Sequence, residues 1–191
     1  MTKRSPSKKP SQKKGFSKKN STKKVEKYNF QALSLSQKIL LTTDGTVTDM
    51  LSLLTGEPIR ITKLPHSTPN SDIPKELELE QCADVMSREI LLTGHEDNYI
   101  YAKSLFVISR MSQDMQDKLL ETDTPIGLLW KQEKLETYRE IISQGIELCP
   151  ELREYFPFTD SDDFLCRTYT VRHNQKPIGI ITEKFPLAYF E

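Results

Sequence analysis

Cysteine, glycine and long apolar stretches are scarce in this chain. Among 191 residues there are three cysteines, seven glycines and one tryptophan. Cys82, Cys149 and Cys166 are far apart, odd in number and contain no Cys-x-x-Cys pair, which argues against a disulfide framework. They read as reduced, partly buried thiols rather than metal ligands or a nucleophile, and such usage fits a reducing compartment. No apolar run approaches the ~20 residues a membrane span needs. The N-terminus lacks the apolar core of a secretory signal. The few glycines form no phosphate-cradling loop. His66, His95 and His173 fall in loops or turns without metal-ligand spacing, so they are expected to be solvated. Asp160-Ser161-Asp162-Asp163 resembles a fragment of a calcium loop, but without the glycine and distal Glu it is read as a solvated acidic loop.

Acid is almost missing from the first 27 residues. The formal charge of the whole chain is zero, yet Met1 to Lys27 hold 11 Lys or Arg and only Glu26 against them. The segment is therefore +10 and the remainder −10. Lys pairs recur every five residues (8–9, 13–14, 18–19, 23–24), a period that builds no helical stripe. Residues 1–27 are expected to be a disordered Lys-rich tail with weak, salt-dependent affinity for polyanions. The tail is Ser-rich and acid-poor like a transit segment, but Lys replaces Arg and no amphipathic face is present. The folded domain is expected over 28–191.

Within that domain the patterning alternates between helix and strand. Leu33 to Leu41 suggests a short helix, closed by the Asp44-Gly45 turn. Thr46 or Thr48 is placed to cap a second helix carrying Val47, Met50, Leu51, Leu53 and Leu54, stopped by Gly56 and Pro58. Glu57–Leu64 reads as a strand and 65–77 as a Pro-punctuated loop. Asp84–Thr93 and Tyr99–Ile108 read as a hairpin about Gly94–Asn98. Ser112–Glu121 and the segment after Pro125 read as helices, and Glu133–Ile142 as a strand. Cys166–Arg172 and Pro177–Phe185 form a last hairpin about His173–Lys176. The predicted class is α+β, a mostly antiparallel sheet flanked by helices.

Two strands each carry a charge among apolar residues. Arg88 shares a face with Ile90 and Leu92, and Glu183 with Ile181 and Phe185, because strand side chains alternate. A buried charge requires a partner. Arg88 and Glu183 could answer each other in a buried ion pair or sit at the sheet rim. Facing one pocket, they would instead bind a small carboxylate and hydrogen-bond its hydroxyl.

Five ordered segments tip this balance. They are Asp44-Gly45-Thr46-Val47-Thr48, Arg88-Glu89-Ile90-Leu91-Leu92, Ala102-Lys103-Ser104-Leu105, Thr124-Pro125-Ile126-Gly127, and Lys176-Pro177-Ile178 leading to Thr182-Glu183-Lys184-Phe185-Pro186. Together they resemble the chorismate–pyruvate lyase family, in its divergent cyanobacterial and plastid-type branch. The resemblance implies a ligand pocket under helical flaps and cofactor-free cleavage of chorismate to 4-hydroxybenzoate and pyruvate, feeding quinone or related aromatic synthesis. It assigns catalytic roles to Arg88 and Glu183. It places Thr46, Val47, Thr48, Lys103, Ile126 and Arg167 at the substrate, with Lys103 standing where better-known members have Arg. Lys lacks the planar fork of that residue. The implied location is the cytoplasm, or the plastid stroma in a photosynthetic eukaryote. The same fold also serves as the effector-binding domain of transcription regulators, so a noncatalytic binding module is the rival reading. No helix-turn-helix precedes the domain here, and its acidity argues against specific nucleic-acid binding.

Overall fold

The computed structural model describes residues 29–65, 73–79, 84–121, 124–157, 159 and 161–191. The segment 1–27, His66, Cys82 and Asp160 lie outside them. One six-stranded sheet organises the rest. Its strands are β1 (Arg60–Lys63), β2 (Val85–Thr93), β3 (Asn98–Val107), β4 (Tyr138–Leu148), β5 (Asp163–His173) and β6 (Lys176–Pro186). They lie in the order β1-β2-β3-β6-β5-β4, and every neighbouring pair is antiparallel. Four helices accompany them: α1 (Leu35–Thr42), α2 (Val47–Thr55), α3 (Gln113–Glu121) and α4 (Ile126–Gln132). The architecture is the α+β antiparallel one expected.

Local chemistry accounts for most boundaries. Ser34 and Gln37 form a reciprocal capping box at the start of α1, which satisfies two otherwise orphaned helix donors. Gly56 takes φ 74° behind α2, the left-handed geometry that ends helices and that glycine adopts freely. Thr46 occupies the cap position of α2 but makes no side-chain cap bond. Only Val47 and Leu51 of this helix are buried, whereas Leu53 is 85% exposed.

One strand needed correction, and two turns complete the picture. The strand expected at 133–142 is instead β4, Tyr138–Leu148. The chain leaves α4 through a tight turn in which the Leu135 amide donates to the Trp130 carbonyl and Lys134 takes positive φ, so pairing starts later. The last hairpin turns in two residues, Asn174 and Gln175, both at positive φ, as the type I′ turn requires. Leu148 is followed by a 3-10 turn, Pro150–Tyr155. It folds beneath the sheet and buries Leu152, with Phe156 just beyond it.

The register sets which side chains share a face. Arg88 lies opposite Ser104, Ser104 opposite Ile181, and Ile181 opposite Tyr169. One rung along the same face run Ile90, Ala102, Glu183 and Arg167. α1 and α2 cover one end of this face with Leu40, Leu41, Val47 and Leu51. α3 and α4 cover the other with Met115, Leu119, Leu129 and Trp130. The polar rungs lie at the seam between the two apolar clusters.

Candidate active site

A cavity of about 60 Å³ occupies that seam. Its roof is the start of α2 (Thr46, Val47, Thr48) and the start of α4 (Pro125, Ile126, Gly127). Its floor is the sheet, through Ile90, Ala102, Ser104, Ile181, Tyr169 and Glu183. The two roof segments touch: a Cβ on Gly127 would lie 3.3 Å from Thr46 Cγ2. Glycine here permits the close approach of the two roof segments.

Glu183 is the carboxylate of this cavity and is 7% exposed. Its Oε2 accepts from Arg167 Nε at 2.6 Å and its Oε1 from Tyr169 OH at 2.9 Å. Cross-strand register explains the pair, since Arg167 stands directly opposite Glu183. Arg167 is 1% exposed, donates from Nη1 to the Thr43 carbonyl, and lies over the rings of Tyr169 and Phe185. Among the described residues its buried Nη2 has no partner. Burial and the neighbouring Glu183 carboxylate push the Tyr169 hydroxyl well above the ordinary tyrosine range, so it remains a donor. Burial would weaken the charge of Arg167, but the Glu183 carboxylate more than restores it.

The structure settles several sequence expectations about placement. Glu183 and Arg88 are not an ion pair. β3 lies between their strands, roughly 10 Å at ordinary strand spacing, and the partner of Glu183 is Arg167. Arg88 is buried on the same face but does not line the cavity; its Nη1 and Nη2 reach the Thr124 carbonyl at 3.5 and 3.4 Å, just before α4. Thr46, Val47, Thr48 and Ile126 line the cavity. Arg167 lies behind Glu183 rather than on the wall. Lys103 is a correction. It stands opposite Glu89 and Thr182 on the other face of the sheet, is ion-paired to Glu89 at 2.8 Å, and is half-exposed. Period-two alternation alone directs it away from the cavity.

Arg139 was not anticipated. It enters from β4, lines the cavity, and packs its guanidinium against Trp130 and Tyr169 at 5.9 and 5.7 Å. Its Nη1 donates to Asp44 Oδ1 at 3.0 Å, while its buried Nε has no partner among the described residues. Its signal in the sequence was weak, because the strand carrying it is mostly exposed and shows no apolar alternation. Glu183 with Arg167 behind it, Arg139 with its partner Asp44, and Arg88 nearby make this an arginine-rich end of an otherwise apolar cavity.

A protein-family profile described as chorismate pyruvate-lyase Rv2949c-like matches residues 41–191. The chain belongs to this family. The chorismate pyruvate-lyase of Mycobacterium leprae is 27% identical over 172 residues, covering 87% of this chain and 81% of its own. That of Mycobacterium tuberculosis strain CDC 1551 is 25% identical over 166 residues, covering 83% of each. Among solved structures, the effector domain of PhnF from Mycobacterium smegmatis superposes with a TM-score of 0.58 at 13% identity, over 78% of this chain and 92% of that one. At that identity the likeness concerns the fold alone. The lyase-family fold here is thus also that of a regulator's effector domain. No described helix is long and apolar enough to cross a membrane.

Proposed function

We propose that this family member cleaves chorismate to 4-hydroxybenzoate and pyruvate. The observation that carries this reading is Glu183, fixed by Arg167 and Tyr169 in the wall of an apolar cavity roofed by two helix starts. Each Glu183 oxygen holds one protein hydrogen bond and retains a lone pair for the ring hydroxyl. Chorismate is a dianion, and the arginines at this end of the cavity suit it. Arg88 takes the ring carboxylate in a charge-assisted pair. Arg139 supplies the second carboxylate anchor through its buried Nε, which has no partner among the described residues.

In the reaction the ring loses the proton at the hydroxyl-bearing carbon and the neighbouring C–O bond to the enolpyruvyl group breaks. The ring becomes aromatic and enolpyruvate tautomerises to pyruvate. The driving force therefore resides in the substrate, and the protein needs chiefly to hold the side chain in reactive geometry and stabilise developing charge. Val47, Ile126 and Trp130 exclude water. No cofactor is required. A cavity of about 60 Å³ has room for a few waters, so α2 and α4 must part to admit substrate, and product release is a natural slow step. The product would enter quinone or related aromatic synthesis, with a cytoplasmic location.

Incubation of the purified chain with chorismate tests this directly, with pyruvate and 4-hydroxybenzoate followed by chromatography. Equal amounts of both products are expected. Tight binding of 4-hydroxybenzoate without turnover would instead favour a noncatalytic aromatic-acid-binding module, the reading suggested by the regulator effector fold.

A further inference from the structure

The opposite face of the sheet carries a second polar cluster that the lyase reading does not use. Cys149 and Cys166 are 17 positions apart in sequence, but the 3-10 turn that begins at Pro150 doubles the chain back beneath β5. Both thiols are buried and unbridged. Their sulfurs and a carboxylate oxygen of Glu147 all lie within 4.8 Å of one another. Lys184 Nζ donates to Cys149 Sγ and to Glu147 Oε2, both at 3.0 Å. Register places Lys184 directly opposite Cys166.

We propose that Cys149 and Cys166 are a redox pair in which Cys149 is the attacking thiolate, Cys166 the resolving thiol, and Lys184 the cation that activates Cys149. The ligand class is a hydroperoxide. The assignment stands whether or not the cavity on the other face cleaves chorismate.

The surroundings divide the two sulfurs between these roles. The contact with the Cys166 sulfur and the hydrogen bond from Lys184 hold Cys149 down to about 6, against burial and the more distant Glu151, which push it up. Cys166, whose thiol donates to the Phe164 carbonyl at 3.4 Å, is driven far upward by the neighbouring Cys149 and by burial. Burial would weaken the Lys184 charge, but its bonds to Cys149 and Glu147 keep it protonated. A thiolate beside an ammonium is the nucleophilic form of cysteine. Glu147 and Lys184 are 31% and 14% exposed and form the side from which a small oxidant enters.

The steps balance as follows. The Cys149 thiolate attacks the O–O bond of the hydroperoxide, forming a sulfenic acid, and the departing oxide takes a proton to become an alcohol or water. The Cys166 thiol then gives up its proton as its sulfur displaces hydroxide from Cys149, yielding the disulfide and one water. Two electrons pass from the sulfur pair to the peroxide. Within the cluster the reduced form sets a thiolate and a carboxylate against one ammonium. The disulfide leaves Lys184 and Glu147 evenly paired. Because the reduced thiolate is also stabilised, the bond should be readily reducible.

The experiment uses the full chain with Cys82→Ser, reduced, desalted and then exposed to a small excess of hydrogen peroxide. Trypsin cuts between the two cysteines at Arg153, so peptides 140–153 and 154–167 report the linkage without any change at either thiol. The expected result is loss of two hydrogens, a peptide pair joined through Cys149 and Cys166, and its release by dithiothreitol. The initial rate should fall about tenfold per pH unit below about pH 6. Lys184→Met should slow it about tenfold or more at pH 7. Sulfenic or sulfinic acid at Cys149 with no joined peptides would overturn the pair, as would linkage only between chains. Reduced thiols that resist peroxide and instead retain zinc through purification would reassign the cluster as a metal site.

Discussion

Glu183 is held by chemistry that makes it a structural residue as well as a candidate catalytic one. Its partner Arg167 is almost fully buried, so deleting the carboxylate strands a cation that has few other acceptors. Breaking one side of a buried pair typically costs about 3–5 kcal/mol, whereas replacing both partners by apolar residues is often neutral. Glu183→Ala should therefore lower urea-denaturation stability by roughly that amount, and the double variant Glu183→Leu/Arg167→Met should recover most of it. A single variant as stable as the parent would mean that Arg167 finds water in its place. Loss of turnover in Glu183→Ala is interpretable only beside that measurement. Glu183→Gln is the better catalytic probe, because an amide oxygen still accepts from Arg167 while the charge is gone. Arg88 offers a cleaner test. It donates to the Thr124 carbonyl at 3.4–3.5 Å, and Arg88→Lys should weaken 4-hydroxybenzoate binding through loss of bidentate geometry.

At the level of elements, the roof of the cavity was legible in the sequence and its walls were only partly so. The family resemblance named Thr46 to Thr48 and Ile126, and they line the roof at the starts of α2 and α4, behind the punctuating Gly45 and Pro125. β2, β3 and β6 were legible because they alternate cleanly, and alternation assigned Arg88 and Glu183 to the same face. Lys103 was misassigned although the same alternation, applied to β3, would have turned it outward; the family resemblance prevailed over the period. Arg139 was hidden because β4 is mostly exposed on an edge, so its pattern is not apolar and its start depends on the turn behind α4. The partnership of Arg167 with Glu183 required the register between β5 and β6, which no single strand encodes. The roof itself makes a prediction. Gly127→Ala places a methyl group 3.3 Å from Thr46 Cγ2, so Thr46 and the start of α2 must give way by a few tenths of an ångström. The fold should survive with a melting temperature within a few degrees. Isothermal titration should show 4-hydroxybenzoate bound severalfold more weakly and released faster, since closure of the roof contributes to retention. Unchanged affinity would mean that α2 and α4 do not close over the ligand as one lid.

Across the whole molecule, charge is segregated rather than balanced. The first 27 residues carry +10 and the rest −10, so an overall pI near 6.8 describes neither part. The arginine-rich site is buried in an acidic domain, and the basic segment is remote from it in sequence. Electrostatic attraction between the two parts, or between the basic segment and a polyanion, is screened over about 8–10 Å at physiological salt. We expect removal of residues 1–27 to leave chorismate turnover per molecule unchanged, because the described cavity residues all lie between Thr46 and Glu183. The same truncation should move the protein from weak to strong retention on an anion exchanger near neutral pH. Affinity of the full chain for heparin or RNA should fall steeply with salt, with a slope set by the number of phosphates or sulfates neutralised, and the truncated chain should show none. Turnover that fell with the truncation, at saturating chorismate and with unchanged thermal stability, would tie the basic segment to the lid and make the charge asymmetry part of catalysis.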